Sequence, residues 1–566
     1  MRRLCLAAFV LLPGCHMPEY DTFLDQQEKF ASNGSDSSGD AEPTADDTAA
    51  STGAIGSDSA TGDASDTADA TDTAPQSGTA TDTGDASDTT DSPPVGEPDK
   101  PVIVAIELPA TVYAAGPVAL AVQAEHTGSV FVTLDGVDAG ELIAAGEGLF
   151  TGSLAIHGAI DNGSHAVEVI ATQGKYEDRK PAMFDVSTPE PGTPAWSKAG
   201  PAASRTNRVA VTPAGDLIEV GQTVIGGMQR PTIRKRSAAT GAELWPEKTI
   251  TLDTREGAAV DVAVLPDGRM WVAMNVREPM KDPRPRIALL DADGQAVGIE
   301  VLGTAGQVVR ALAADQEGAC FAVGLAVVMG NWDFAYWRID TTGEQTLDNT
   351  YDYVPPLQKA HTFVDLASDV VIDGGVAWIV GMSTGQHDAA QKDPAFYLRG
   401  VLVPMDLHTG KLAGPVIVAP TAPGWFQSAF FGATLHPEGV LATGYGCDKI
   451  CSTYRIETSL YSVDGVRTWF EFEANNSGLA YGSDVAFDSQ GRALVSAAVT
   501  QNGKLRGYVF GRNVGPPGAV LFQHWYSGAG PSEALGIARD VFDRIFPVGY
   551  VTVNGETEAR VTRIHG

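Results

Sequence analysis

The sequence predicts an all-β protein: a seven-bladed β-propeller preceded by a small β-sandwich and a disordered linker. Three observations predict it. From residue 193 onward, a strand, a glycine turn and a second strand recur six times, and a seventh copy repeats the pattern less cleanly. Between residues 100 and 188, short alternating apolar runs are divided by turn residues. From 31 to 99 the chain is almost devoid of large apolar side chains.

The N-terminus comes first. Arg2 and Arg3 form a basic start, residues 4–12 are apolar, and Leu12-Pro13-Gly14-Cys15 follows. That run is too short to span a bilayer as a mature helix, so residues 1–14 read as a secretory signal. The ending resembles a bacterial lipobox. The resemblance implies that Cys15 is acylated, as with palmitate, and becomes a membrane-anchored N-terminus. An ordinary signal peptide with a chance cysteine is the alternative. The layout as a whole resembles myxobacterial-type surface lipoproteins, which implies a cell-envelope location, at the outer membrane or cell surface.

Residues 15–99 form the linker. The 566 residues carry 71 acidic and 38 basic side chains, a formal charge of −33. Sixteen of those acids lie in 31–99, which contains no Lys or Arg. Too little apolar surface is present there to offset the entropy of folding. Such a field repels phosphate backbones and argues against nucleic acid as a partner. The heptapeptide TGDASDT occurs at 61–67 and again at 83–89, and its aspartates recur every third residue. Calcium loops of the helix–loop–helix type space ligands by two and end in a bidentate Glu, which is absent here. The repeat reads as a solvated stalk. About 69 flexible residues span a root-mean-square distance of about 40–50 Å, and repulsion extends them further.

Residues 100–188 read as the sandwich. VALAVQAE, SVFVTLDG, LFTGSLAI, HAVEVIATQG and AMFDV alternate and are separated by turns such as Asp135-Gly136 and Asn162-Gly163. The segment NGSHAVEVIATQGKYED resembles the penultimate strand and turn of bacterial immunoglobulin-like (Ig-like) domains. A spacer or binding module is what the resemblance implies.

Residues 193–566 carry the propeller. VAVTPAGDLIEVG, DVAVLPDGRMWVA, ALAADQEGACFAVG, DVVIDGGVAWIVG, ATLHPEGVLATG, DVAFDSQGRALVS and IARDVFDRIFPVG repeat one pattern. The turn glycines at Gly215, Gly268, Gly318, Gly375, Gly439 and Gly491 fall 50 to 64 residues apart. Each unit continues with a third and a fourth strand, and four strands per unit is a propeller signature. The seventh unit supplies only three strands before the sequence ends. TPAWSKAG (193–200) has no unit of its own, so it is expected to complete the last blade and remove an open edge. SAATGAELW, with Thr240, Gly241 and Trp245, is similar to the repeats of pyrroloquinoline-quinone-like (quinoprotein-type) propellers, whose Trp docks on the next blade. The resemblance covers the architecture and not the quinone chemistry. There is no adjacent-Cys pair and no recognisable ligand set, so no cofactor is expected.

Cys447 and Cys451, in GYGCDKICSTY, read as a disulfide in an exported chain. A two-Cys metal site is the rival, but no His lies nearby and no metal is expected. Cys320 reads as a core thiol.

The first-to-second and third-to-fourth turns are tight and share one face of the ring. The longer connections, VREPMKDPRP, MGNWDF, VPPLQKAHTF and STGQHDAAQKDPAFYLRG, share the other, where binding function tends to reside. Trp332, Asp333, His361, His387, Asp388, Asp393, Tyr397 and Arg399 are the candidate binding-face residues, with ordinary solvated loop residues as the alternative. No G-x-S-x-G elbow, H-E-x-x-H helix or phosphate loop appears, and no catalytic residue is assigned. Two function classes remain. One is a non-catalytic envelope platform for a protein or glycan ligand. The other is a glycan-processing hydrolase or lyase using the central funnel, which converging carboxylates, His or Arg would favour.

Overall fold

In the computed structural model, residues 99–158, 162–250, 256–277, 282–328, 331–354, 364–384, 398–420, 425–448, 451–476, 478–515 and 518–566 are described. The signal, Cys15 and the acidic linker lie outside them. The described residues form strands and turns with no helix.

Residues 102–186 build two sheets, one of four strands and one of five, packed face to face. Gly116–Glu125 shows why: its burial alternates residue by residue, so Val118, Leu120, Val122 and Ala124 face a shared core with Val130, Val167, Val169 and Phe184. His165 of the quoted His-Ala-Val-Glu-Val run explains its own place. It bonds Asp135 at 2.7 Å across the Asp135-Gly136 turn, and that hydrogen bond lowers the Asp135 pKa.

From Pro194 on, seven antiparallel four-stranded sheets follow one another. Their innermost strands are Ser204–Val211, Glu256–Val264, Val308–Ala314, Asp365–Asp373, Gln427–His436, Ala480–Phe487 and Ser532–Arg539, numbered here as sheets 1 to 7. Each lies beside the next, and the seventh lies beside the first, which makes a propeller-like ring. Glu556–Ile564 is the third strand of sheet 7, and Pro194–Ala202 pairs antiparallel to it as the fourth. The two ends of the ring are thus hydrogen-bonded, and neither is left as an open edge.

The turns follow from local chemistry. Gly215, Gly268, Gly318 and Gly491 hold φ between +79° and +89°, where a Cβ is unfavourable. In sheet 4 the positive φ belongs to Gly374 rather than to the expected Gly375, because Asp373 pairs with Val376 and leaves a two-residue turn. Sheet 7 has no glycine in its turn, and Asp543 takes the left-handed position at φ +56°. Asp540 holds that turn by accepting the N–H groups of Phe542 and Arg544, both at 3.0 Å.

Indole rings join neighbouring sheets. A Cβ on Gly294, in the outer turn of sheet 2, would lie 2.5 Å from the Trp245 ring of sheet 1. Trp196, on the closing strand, covers Gly241 of sheet 1 in the same way and donates to Ala239 O at 3.2 Å. The Gly-x-x-x-Trp spacing, Gly241 to Trp245 and Gly192 to Trp196, thus delivers each Trp to the following sheet's turn. The sandwich meets the ring at the sheet 7 turn. Gly158 N–H donates to Phe542 O at 2.8 Å, and Arg563 Nη2 donates to Ala115 O at 3.1 Å.

Candidate functional site

The ring axis carries the densest polar chemistry, and the innermost strands place it there. Each strand contains a β-bulge, between Thr206 and Arg208 in sheet 1 and at the matching place in the other six. A bulge re-aims the side chain that follows it. The residues after the bulge are Arg208, Asp261, Ala311, Asp369, Gly432, Asp484 and Gly536 in sheets 1 to 7. Acids therefore stand in sheets 2, 4 and 6, and small residues in sheets 3, 5 and 7.

Each acid joins its own sheet to the next. One Asp261 oxygen accepts Val262 N–H at 2.8 Å and the other accepts Leu312 N–H of sheet 3 at 2.8 Å. Asp369 repeats this with Val370 and with Ala433 of sheet 5, both at 2.8 Å. Asp484 repeats it with Val485 at 2.9 Å and with Ile537 of sheet 7 at 3.0 Å. The small residues leave room: a Cβ on Gly432 would lie 2.5 Å from Asp484 Cα. With seven sheets, an alternation of acid and small residue must fail once. It fails at sheet 1, where Arg208 stands. Arg208 Nη1 donates to Leu535 O of sheet 7 at 2.6 Å, and Asn207 Nδ2 donates to Ala259 O of sheet 2 at 2.7 Å.

Arg208 Nε lies 4.0 Å from both Asp261 and Asp484. One guanidinium faces three buried carboxyls, and burial disfavours their charged forms. Burial pushes Asp261 up to about 6 and Asp369 up to about 8, and it raises Asp484, with Arg208 opposing in each case. These four residues line a cavity of about 370 Å³. Thr434, Leu435, Phe487 and Arg539 line it too, at the ends of innermost strands that lead into the tight first-to-second turns. The cavity thus opens toward the tight-turn end, not toward the face with the longer connections.

The candidate binding-face residues fare differently. MGNWDF is not a long loop: Asn331–Ile339 is a strand paired back to Val328, and Trp332 and Asp333 are only 8% and 6% exposed. Arg399 is in the strand Leu398–Asp406, 3% exposed, donating to the carbonyls of Leu398 and Phe426. Both strands are buried almost throughout, which places these residues inside the sheets. His361, His387, Asp388, Asp393 and Tyr397 lie outside the described residues. Cys447 and Cys451 are joined as a disulfide, and Cys320 is a buried free thiol whose pKa burial raises. Among the described residues no group of three or more His, Cys, Asp or Glu is placed to hold a metal ion.

At the other end of the axis a second polar group is buried. Glu533 accepts the Tyr481 hydroxyl at 2.9 Å and the Tyr550 hydroxyl as well, and Arg205 lies over the Tyr550 ring at 5.2 Å. Phe431 stacks edge-on to Tyr481 at 5.9 Å and contacts Tyr445 at 5.8 Å. This belt crosses sheets 5, 6, 7 and 1, and sequence reasoning did not single out any of its members.

The axial acids left a signal that sequence reasoning passed over. Asp-Val opens three of the seven repeats, DVAVLPDG, DVVIDGG and DVAFDSQG, in alternate units.

No family model matches the chain, and no curated protein matches it. Among solved structures, a Dyadobacter fermentans protein of unknown function is 12% identical, with 54% of this chain and 93% of that one covered and a TM-score of 0.34. A quinonprotein alcohol dehydrogenase-like protein from Bacteroides thetaiotaomicron is 9% identical over 64% of this chain and 93% of that one, TM-score 0.26. A sialidase described as Hadza microbial is 8% identical over 62% and 73%, TM-score 0.35.

Proposed function

We propose that this is a non-catalytic cell-envelope lipoprotein whose ring, a seven-bladed propeller of quinoprotein type, serves as a binding platform. Acylated Cys15 is the anchor, the acidic linker the stalk, and an Ig-like sandwich the spacer. One observation carries the non-catalytic reading. Every oxygen of the three axial aspartates accepts a backbone N–H, half of them from the following sheet. Acids so occupied hold the ring together instead of attacking a substrate. The raised Asp369, near 8, favours the rival reading of a glycan hydrolase or lyase, since a carboxyl protonated at neutral pH is a general acid.

The two readings separate in one assay. The intact chain, incubated with peptidoglycan, chitin and alginate fragments, is expected to release neither reducing ends nor unsaturated products. Release that disappears in Asp369→Asn would overturn the platform. Anchoring is read separately: labelled palmitate should be incorporated by the wild type and not by Cys15→Ser.

A further inference from the structure

The ring is closed by two contacts that no hairpin connection enforces: the pairing of Pro194–Ala202 with Glu556–Ile564, and the packing of sheet 7 on sheet 1. That packing is unusually polar. Its apolar core is Val209, Leu217 and Ala238 of sheet 1 with Phe546, Val548 and Val561 of sheet 7. Among the described residues, every other core shared by neighbouring sheets is larger.

The reason lies in the side chains that alternate onto this face of sheet 1. Leu217 pairs with Arg236 and Glu219 with Arg234 across adjacent strands, so all four point to sheet 7. At the matching places sheet 2 presents Met270 and Val272 to sheet 1. Glu219, Arg234 and Arg236 are buried, and Glu219 accepts from Arg236 at 2.8 Å with Arg234 3.6 Å away. Burial raises the Glu219 pKa against the pull of both arginines. Buried ion pairs return little net stability after desolvation, so this seam gains less than an apolar one would.

The sandwich adds its ties at this same place. Arg563, on the last strand, donates through Nη1 to Ala239 O of sheet 1 and through Nη2 to Ala115 O of the sandwich, both at 3.1 Å. The Arg544 guanidinium, held by Asp540, lies between Gly116 of the sandwich and Gly215 of sheet 1, 3.7 and 3.9 Å from where their Cβ atoms would stand. Gly158 N–H donates to Phe542 O in the sheet 7 turn, and a Cβ on Gly158 would lie 3.0 Å from Asp543 O. The connection that leaves the sandwich is held as well. Gly192 N–H donates to His565 O at 2.8 Å, and His565 N–H donates to Thr193 O at 3.0 Å.

We propose that the sandwich is a clasp that keeps the ring closed, a task beyond that of a spacer and independent of what the ring binds. It grips sheet 7 at Phe542 and Arg563, and Arg563 and Arg544 carry that grip across to sheet 1. It also fixes the start of the strand whose pairing completes sheet 7. Releasing the sandwich loosens the seam first, while the interfaces with larger apolar cores stay closed.

Amide hydrogen exchange on the intact chain tests this, read separately for the two closing strands, Pro194–Ala202 and Glu556–Ile564, and for the strands of sheets 2 and 3. Gly158→Leu places a side chain where Asp543 O stands, and Gly158 lies outside the sandwich core. It is expected to speed exchange in the closing strands roughly five- to tenfold, the loss of one hydrogen bond at the contact, with sheets 2 and 3 unchanged. Gly158→Ala reads the same contact with a single Cβ and should act in the same direction. Arg563→Met, which removes the ties to Ala115 and Ala239 together, should speed the closing strands at least as much as Gly158→Leu. Closing strands that exchange at the wild-type rate in both Gly158 variants, or an acceleration shared equally by sheets 2 and 3, would overturn the proposal.

Discussion

Replacing Asp369 by Ala removes one of the three carboxyl links between neighbouring sheets at the axis. Val370 N–H and Ala433 N–H, both 2.8 Å from the carboxyl, would lose their acceptor in a buried place. Each orphaned N–H costs about 1–3 kcal/mol, and removing a buried carboxyl returns part of its desolvation cost, so the net loss is about 2–4 kcal/mol. In a ring this large that corresponds to a fall of about 3–5 °C in the thermal midpoint. Asp369→Asn keeps one acceptor and should lose about half as much. Exposed Asp373→Ala serves as the control.

The same residue gives a pH signature. Burial raises its folded pKa to about 8, far above the ordinary value of 3.8. The folded state therefore holds the proton more tightly, and this contribution is fully present below about pH 4. It is lost as the pH rises toward 8 and is level beyond. Asp261, near 6, and Asp484 act in the same direction. Thermal midpoints measured from pH 5 to pH 8.5 should fall with pH in the wild type, and less steeply in Asp369→Asn. An Asp369→Ala loss no larger than that of Asp373→Ala, or identical pH slopes in wild type and Asp369→Asn, would refute the staple argument.

Three further outcomes are expected. Gly294→Ala, at φ +74° with its Cβ 2.5 Å from the Trp245 ring, should cost about 2 kcal/mol and shift Trp fluorescence, whereas Gly298→Ala, where nothing lies within 4 Å, should do neither. Cys447→Ser opens a disulfide that closes a short loop, worth about 2 kcal/mol by chain entropy, and reduction with dithiothreitol should lower the wild-type midpoint but not the variant's. Asp543 is fully buried, accepts Ser489 N–H at 3.1 Å and pairs with Arg539 at 2.9 Å; Asp543→Ala should be at least about 1 kcal/mol worse than Asp543→Asn in denaturant unfolding, because Asn tolerates the left-handed backbone and keeps an acceptor.

Much of the ring was legible because its signals are local. A glycine or Asp-x-x-Gly turn between two alternating runs sets a hairpin by itself, and hairpin after hairpin yields the four-stranded sheets. The Thr-Gly-x-x-x-Trp spacing placed Trp245 against the next sheet, since a strand's geometry carries a fixed offset forward. The site was less legible. Trp332, Asp333 and Arg399 read as loop residues because polar side chains interrupt their runs, yet their strands continue through them and bury them. Nothing local distinguishes a polar residue on a loop from one whose partner comes from another sheet.

Composition and local pattern alone determined that this chain is β-rich, repeats in units of four strands, and carries an acidic stretch unlike the rest. Only the tertiary structure decided what the axial acids do. Asp261, Asp369 and Asp484 lie more than a hundred residues apart in successive pairs. Their partners Leu312, Ala433 and Ile537 are brought within hydrogen-bond reach only by the packing of each sheet against the next. Closing a ring of seven sheets forces one break in the alternation, and there Arg208 supplies the opposite charge.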